Sequence, residues 1–351
     1  MTRPQLLAVT AVTLAATCVL SRASAQVAAP PADDVDLTTV NAFPVQGNVT
    51  LLIGPGGVES TSANVVVQAS DDAVVVVDSG RGDQADQYVA AIRRISRKPI
   101  RFIINTQAAL DHVGGNETLA RSGRPFGGRA AGAGFLLPDQ NSGATIIAHE
   151  KVLNALSAPS RQPPVPQAAW PSETYFTDDQ ELFNGEAIQM FHVSAITDGD
   201  TIVFFRRSDV ICSGDVFSTL TYPKIDVRAG GGIAAEIAAL NQILDLAVPR
   251  DKQEGGTYIV PGHGRVADEA DVLEYRDMVY IIRDRVQDLV KKGRSLAEIK
   301  AAKVSFDYDR RYSAPAWTGE QFVEAVFASL TAPDRTQRKP TPPSPPQTSP
   351  R

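Results

Sequence analysis

The chain has 351 residues and a formal net charge of −6, and 43% of its residues are hydrophobic and 21% charged. This composition excludes a fibrous or wholly disordered protein, because the apolar side chains are sufficient for one large globular domain or two small ones. The mildly acidic charge argues against binding of nucleic acid through the overall electrostatic field.

The first 25 residues have the pattern of a cleaved secretory signal. Arg3 precedes an apolar run at residues 6–20, which is followed by an A-x-A cleavage site at residues 23–25. A run of about 15 apolar residues is short for a bilayer span, so we predict cleavage after Ala25, a periplasmic or secreted protein and no stable membrane insertion. Cleavage leaves Cys212 as the single cysteine, which we expect to be a small core thiol.

Two further segments are predicted to lie outside the folded domain. Residues 26–45 are rich in Ala, Pro and Asp and are predicted to be a flexible lead-in. Residues 333–351 are rich in Pro, Ser, Thr and Gln and are predicted to be a disordered tail. The folded domain is therefore predicted to occupy residues 46–332, and it shows no internal repeat.

The beginning of this domain is predicted to be rich in strands. The β-branched runs NVTLLIG, ANVVVQAS and AVVVVDSG are separated by Gly-rich or Asp-Asp turns, which is typical of antiparallel strands. The stretch DQADQYVAAIRRIS has the spacing of an amphipathic helix, and IRFIIN predicts a buried strand. That strand leads directly into the loop NTQAALDHVGGN, after which NETLARSG predicts a short helix capped by Asn116.

The stretch TIIAHE is predicted to begin a second half of strands and helices. Strands are predicted at AIQMFHV, TIVFFRR and DVICSGD, a helix at IAAEIAALNQILDLA, and a strand at TYIVPGHG, which ends at His263. A long amphipathic helix at about residues 267–292 and shorter helices near 295–302 and 318–331 end the domain. The Gly- and Ala-rich loop at residues 122–145 is long enough to cover a site. Two β-rich halves, each followed by helices, favour a sheet-on-sheet core with helices outside.

Polar side chains follow several of these strands. Asp111 and His112 lie in the loop after IRFIIN, Asp215 follows DVICSG, and His263 ends VPGHG. Loops at one edge of the sheets can bring such residues together, and the neighbouring glycines allow close approach of the backbone. Two imidazoles and two carboxylates form a ligand set that suits zinc or iron(II). From spacing alone, a structural hydrogen bond between Asp and His is an equally good interpretation.

Five segments in order, VVVVDSG, NTQAALDHVGGNE, TDGDTIVFF, SGDVF and VPGHG, resemble the signature segments of the metallo-β-lactamase superfamily. The resemblance covers nearly all of residues 46–332. It implies an α+β fold, a four-layer αββα sandwich, with the metals at the sheet edge between the two halves.

The Asp-His loop departs from the family pattern T-H-x-H-x-D-H. Gln107 and Ala109 stand where that pattern has two histidines, and Ile196 stands where a third histidine normally precedes TDGD. Ala and Ile cannot coordinate a cation, and Gln offers only a weak amide oxygen. The first metal site of the family is therefore predicted to hold no zinc in this chain.

The second metal site is predicted to be complete, with Asp111, His112 and His263 as ligands and Asp215 at the position of a bridging carboxylate. The resemblance implies a hydrolase in which one zinc ion, or iron as the alternative, activates water. The water would attack an ester, amide or lactam bond of a small molecule, and Asp111 would orient it or accept its proton. Losing one stabiliser of the developing oxyanion typically costs about 2.7–4 kcal/mol, or roughly 100- to 1000-fold in rate. The alternative is a non-catalytic relative that keeps the cluster for stability or ligand binding.

Five further side chains are predicted to have structural roles. Asp78 is predicted to brace the Asp-His loop through hydrogen bonds, as the resemblance implies. His149 is predicted to support the end of a strand, and His192 to pack within its strand, although His192 lies near the position of the missing histidine. Asp198 and Asp200 are predicted to shape a turn.

Overall fold

The computed structural model describes residues 36–125 and 143–332. Within these residues the chain forms two β-sheets and nine α-helices. The strands are β1 (Asn41–Gln46), β2 (Val49–Ile53), β3 (Val65–Ala69), β4 (Val74–Val77), β5 (Ile100–Ile104), β6 (Thr145–His149), β7 (Glu173–Tyr175), β8 (Asp179–Phe183), β9 (Glu186–Val193), β10 (Asp200–Phe205), β11 (Val210–Gly214) and β12 (Tyr258–Pro261). The α-helices are α1 (Ala85–Ile95), α2 (Leu110–Val113), α3 (Asn116–Ser122), α4 (Glu150–Ser157), α5 (Ile233–Leu246), α6 (Glu269–Lys291), α7 (Leu296–Ala301), α8 (Phe306–Tyr312) and α9 (Gly319–Thr331).

The first sheet contains seven strands in the order β1 to β7. Strands β1 to β4 pair antiparallel, which confirms the prediction for the three β-branched runs that form β2, β3 and β4. Strands β4 to β7 pair parallel. Because parallel neighbours need a crossover, α1 connects β4 to β5, and α2 and α3 lie between β5 and β6.

The second sheet contains five strands in the order β12-β11-β10-β9-β8. Its strands pair antiparallel except for β11 and β12, which are parallel and are connected through α5. The prediction that TIIAHE begins the second half is wrong, because β6 pairs with β5 and β7 in the first sheet. The second sheet begins with β8.

Three apolar clusters produce four layers. One cluster lies between the sheets and joins Val66 and Phe102 of the first sheet to Met190 and Val203 of the second. A second cluster packs the outer face of the first sheet against α1 and α3. The third packs the outer face of the second sheet against α5, α6 and α9. This arrangement confirms the predicted α+β fold, a four-layer αββα sandwich.

The helices that the sequence predicts begin close to the predicted positions, with one difference in capping. Helix α6 has a reciprocal capping box between Asp268 and Asp271. The prediction that Asn116 caps α3 is wrong, because the helix begins at Asn116 and the buried amide donates to Asn105 Oδ1 and the Ala169 carbonyl. No α-helix in the described ranges is both long and apolar enough to cross a membrane.

The folded domain begins earlier than predicted. The flexible lead-in predicted for residues 26–45 is wrong in its last part, because β1 begins at Asn41 and pairs with β2. Phe43 of β1 also packs against the cluster between the sheets. The predictions that lie outside the described residues are the signal at 1–25, residues 26–35 of the lead-in, residues 126–142 of the covering loop and the tail at 333–351.

Candidate metal centre

The candidate site lies at the carboxyl ends of two pairs of parallel strands, β4 with β5 and β11 with β12. Asp78 follows β4 directly, Asp215 follows β11 directly, and His263 comes shortly after β12. The loop after β5 leads into the short helix α2, which contains Asp111 and His112. Because parallel neighbours end at the same edge, side chains far apart in sequence converge there.

The four predicted ligands of the second site are neighbours in space. One ligand atom from each of Asp111, His112 and His263 lies within 4.8 Å of the other two. His263 Nε2 and Asp111 Oδ2 are 3.0 Å apart. Asp215 Oδ1 lies 3.4 Å from His112 Nε2 and 3.9 Å from His263 Nε2. All four groups therefore face a common volume.

The cluster is open to solvent from one side. The side chain of His112 is completely buried, whereas that of Asp111 is 30% exposed. His263 and Asp215 have intermediate exposures of 12% and 16%. A solute can therefore reach the cluster from the side of Asp111 and His263, and His112 forms its floor.

Asp78 holds the loop and the ring of His112. Its Oδ1 accepts a hydrogen bond of 2.8 Å from the Thr106 backbone N–H, and its Oδ2 accepts one of 2.6 Å from the Thr106 hydroxyl. Asp78 Oδ2 also lies 2.8 Å from His112 Nδ1. Such a carboxylate partner fixes the orientation of a histidine whose other nitrogen binds a ligand. Nε2 of His112 is thereby directed at the cluster.

Gln107 contacts two of the four candidate ligands. Its Nε2 lies 2.7 Å from Asp215 Oδ2 and 2.9 Å from His112 Nε2. An ionised carboxylate only accepts hydrogen bonds, so the amide presents its NH₂ group to Asp215. The second N–H of that group then donates to His112, which requires a lone pair on Nε2. This contact assigns the proton of a neutral His112 to Nδ1, facing Asp78.

The electrostatics of the cluster favour positive charge. Although burial opposes ionisation, His112 and His263, with a smaller contribution from Lys224, hold the pKa of Asp215 well below 3.8. Burial also lowers the pKa of His112, but Asp215 and Asp78 outweigh it and raise that pKa above 6.5. The Gln107 contact opposes protonation of His112, because an imidazolium would direct an N–H at the amide N–H. We therefore assign a neutral ring to His112 on the basis of its hydrogen bond with Gln107. The negative charges of the neighbouring carboxylates remain available to a cation.

Two glycines make the close approach of these loops feasible. A Cβ atom at Gly262 would lie 2.3 Å from Asp215 Oδ1 and 3.0 Å from His112 Cε1. Gly214 has a φ of +53°, and a Cβ there would lie 2.9 Å from the Thr106 side chain. Any other residue at these positions would push the ligand-bearing loops apart.

The donor set fits a single divalent ion. Two imidazole nitrogens and two carboxylates are ligands that zinc and iron accept. Zinc bonds of roughly 2.0–2.2 Å place the corners of a tetrahedron roughly 3.3–3.6 Å apart. The separations of 3.0, 3.4 and 3.9 Å between the imidazole and carboxylate atoms bracket that range. Small side-chain adjustments would therefore suffice for these residues to hold one ion.

Comparison with known proteins identifies the family. The family model of the metallo-beta-lactamase superfamily matches residues 56–263, which is more than half of the chain. The chain belongs to the metallo-beta-lactamase superfamily. The candidate metal site described above, with Asp111, His112 and His263, lies within the matched residues or at their end.

Several known proteins are similar to this chain. A linear primary-alkylsulfatase of Pseudomonas sp. (strain ATCC 19151) is 23% identical over 265 residues, which cover 63% of this chain and 46% of that protein. The chain thus spans about half the length of this relative. A double mutant of the sec-alkyl sulfatase PisA1 has a TM-score of 0.58 at 15% identity, covering 86% of this chain and 52% of the other. A metallo-beta-lactamase from Pontibacter korlensis has a TM-score of 0.50 at 12% identity, covering 69% and 99%. Both structural similarities support the fold.

The three positions that depart from the superfamily pattern differ in their surroundings. Ala109 is partly exposed at the start of α2 and carries no ligand atom. Ile196 is 4% exposed and packs into the apolar cluster between the second sheet and its helices. The side chain of Gln107 hydrogen-bonds to His112 and Asp215, whereas Ala109 contacts His112 through its backbone carbonyl.

His149 and His192 lie outside the candidate ligand group and form a stacked pair. Their ring centroids are 3.6 Å apart and their planes differ by 6°. His149 caps α4 by accepting a hydrogen bond from the Lys151 N–H, and its Nε2 lies 3.1 Å from the Phe176 carbonyl. His192 Nε2 lies 2.9 Å from the Asp198 carbonyl. Both rings therefore have structural partners.

We predict that His149 makes the protein less stable at mildly acidic pH. Burial lowers the pKa of His149 below 6.5, with a further contribution from His192, and Glu150 and Lys151 are the other charged neighbours. Below pH 6.5 the unfolded chain takes up a proton that folded His149 resists, so this contribution is present above pH 6.5 and is lost as pH falls through the folded-state pKa. His149→Asn keeps a good capping residue without the titration. Urea unfolding from pH 8 to 5 should show a flatter pH profile for this variant, and identical profiles would contradict the prediction.

Asp200 and Cys212 are buried outside the candidate ligand group. Asp200 accepts hydrogen bonds from the backbone of Ile196 and Thr197 and from the Thr197 hydroxyl, which closes the TDGD turn. Burial raises the pKa of Asp200 to about 7. Cys212 is a buried thiol in the cluster between the sheets, and burial raises its pKa.

Two contributors to the site were not predicted from the sequence. The motif comparison identifies Gln107 only as a missing histidine, although a polar residue five positions before His112 is a signal that could indicate a contact. Asn64 donates to the carbonyls of Pro261 and Gly264 and thereby anchors the loop that carries His263. No sequence signal distinguishes Asn64 from an ordinary turn residue.

Proposed function

We propose that this chain is an exported hydrolase that uses one metal ion, held by Asp111, His112, Asp215 and His263, to cleave an ester-type bond in a small molecule. The observation that supports this most directly is the convergence of two imidazoles and two carboxylates from four separate loops. Membership of a superfamily of hydrolases supports the reaction class. The signal-like N-terminal sequence supports export to the periplasm or beyond.

The four residues have distinct parts in this proposal. When bound, the zinc or iron ion supplies Lewis acidity, which makes water a nucleophile near neutral pH. His112 is oriented by Asp78, and His263 is presented by the loop after β12. The hydrogen bond from His263 helps to hold the pKa of Asp111 below 3.8 against the opposing effect of burial, so Asp111 is an anion that can orient water or accept its proton. Asp215 supplies the second carboxylate.

The similarity to alkylsulfatases makes sulfate esters the first substrates to test, together with carboxylic esters, amides and lactams. We expect the purified full chain to contain about one zinc or iron per molecule. We expect turnover of at least one of these substrates, its removal by a chelator and its return with added zinc. Metal content is measured by mass spectrometry of the acid-digested protein and turnover with chromogenic esters and lactams and by sulfate release.

A non-catalytic, ligand-binding relative is the second candidate, and a specific observation favours it. Ala109 and Ile196 provide no ligand atoms, and the amide of Gln107 engages two of the remaining ligands. Bound metal without turnover on any of the four substrate classes would support this candidate. A chain that takes up neither zinc nor iron would contradict the single-metal site itself.

A further inference from the structure

We propose that the carboxamide of Gln107 is a gate on the metal site, which competes with the ion for His112 and Asp215 and must rotate away before the ion binds. This inference rests on the proposed single-metal function, because a gate requires an ion to exclude. It assigns an active role to a residue that a comparison of motifs describes only as a lost ligand.

The argument begins with the two ring nitrogens of His112. Nδ1 is engaged by Asp78 at 2.8 Å, which leaves Nε2 as the nitrogen available to an ion. Nε2 has one lone pair, and the N–H of Gln107 at 2.9 Å uses it. A lone pair can accept a hydrogen bond or bind a cation, but it cannot do both. The contact with Gln107 and ligation by His112 are therefore mutually exclusive.

The same amide also holds a second candidate ligand. The other N–H of Gln107 donates to Asp215 Oδ2 at 2.7 Å. One NH₂ group thus bridges an imidazole and a carboxylate, and its partial positive charge takes the place of a cation between them. Gln107 is 4% exposed, so water competes weakly for these hydrogen bonds. If the Gln107 amide rotated away, the space beside His112 and Asp215 would also become free for an ion.

The geometry allows an estimate of the effect. Removing both N–H groups removes two competing hydrogen bonds from the metal-free state without removing any of the four candidate ligands. We expect zinc affinity to rise about tenfold, which corresponds to about 1.4 kcal/mol. If Gln107 instead served the ion through its amide oxygen, its removal would lower the affinity.

The test compares zinc affinity in the full chain, measured by competition with a chromophoric chelator. Gln107→Met keeps the length of the side chain without a donor, and Gln107→Ala serves as a second variant if the first does not fold. Gln189→Met is the matched control, because Gln189 lies on β9 and its amide donates to Gln180. Nitrogen NMR of ¹⁵N-histidine-labelled, metal-free protein provides a readout that is independent of activity. The Nε2 signal of His112 should move in Gln107→Met and stay unchanged in Gln189→Met.

The outcomes separate this proposal from the proposed function. Tighter zinc binding in Gln107→Met or Gln107→Ala, or binding that only these variants show, supports the gate. Zinc binding by the unmodified chain that is equal to or tighter than that of both variants overturns the gate and leaves the single-metal function standing. Absence of zinc binding in the unmodified chain and in both variants overturns the single-metal function, and the gate with it.

Discussion

Replacing His263 with alanine is expected to lower zinc affinity by about 100-fold or more and to abolish metal-dependent hydrolysis. Structural zinc sites bind with about 10–16 kcal/mol in total, so each of four ligands contributes roughly 3 kcal/mol on average. His263 is the nearest imidazole to Asp111, at 3.0 Å, and it is also the second of the two imidazoles facing Asp215. Its loss leaves three ligands and removes the partner that holds Asp111 in place.

His192→Ala is the matched control for this experiment, because His192 stacks on His149 and is not a member of the candidate ligand group. Zinc affinity is measured by chelator competition, and circular dichroism verifies that both variants are folded. The control should bind zinc as the unmodified chain does. A His263→Ala variant that keeps its zinc affinity within threefold would show that His263 is not a ligand.

A second large effect, on the free energy of unfolding, is expected when two buried glutamates with different hydrogen bonding are substituted. Glu236 on α5 is completely buried, and neither of its carboxyl oxygens has a hydrogen-bond partner within the described residues. Glu186 at the start of β9 accepts hydrogen bonds from the Gln68 amide, the backbone of Arg207 and Ser208, and the Ser208 hydroxyl. Substitution of both glutamates by methionine should therefore have opposite effects on stability.

Glu236→Met is expected to raise the free energy of unfolding by about 1–3 kcal/mol, because a buried carboxyl group with no hydrogen-bond partner in the described part of the chain is replaced by an apolar group of similar length. Glu186→Met is expected to lower it by about 3 kcal/mol or more, because several buried donors lose their acceptor. Urea denaturation followed by circular dichroism measures both changes, provided the slope with denaturant is unchanged. Destabilisation by Glu236→Met would indicate that the carboxyl group has an essential partner.

The effect at Glu236 should also depend on pH. Burial, together with Asp200 and Asp215, raises the pKa of folded Glu236 well above 4.5. As pH rises above 4.5, the unfolded chain releases this proton while the folded chain retains it, so the native protein loses stability until the folded-state pKa is passed. Methionine does not titrate. The gain from Glu236→Met should therefore be larger at pH 8 than at pH 5.

Much of the fold follows from local patterns. The β-branched runs form β2, β3 and β4, the stretch around Tyr88 forms α1, and the long amphipathic pattern forms α6. The wrong predictions concern choices between partners. Strand β6 pairs with β5 and β7 and therefore belongs to the first sheet. Strand β1 begins at Asn41 and pairs with β2. Neither partner can be identified from the residues of the strand itself.

The candidate site was also predictable from the sequence only in part. Asp111, His112, Asp215 and His263 are predicted as ligands from the sequence, because each follows a predicted strand with glycines nearby and the order of the motifs resembles that of a known superfamily. The contact between Gln107 and Asp215 joins residues 108 positions apart. It depends on the relative position of two sheets, which no local pattern contains.

The sequence by itself determined many of the strands and helices, the membership of the superfamily and the residue types available as ligands, because these depend on periodicity, turn chemistry and motif order along the chain. Only the tertiary structure decided which sheet receives β6, where the amides of Gln107 and Asn116 donate, and that Glu236 is buried with no hydrogen-bond partner among the described residues. The physical reason is that hydrogen bonding and burial depend on the groups that packing brings within about 3–4 Å, and those groups come from distant parts of the chain.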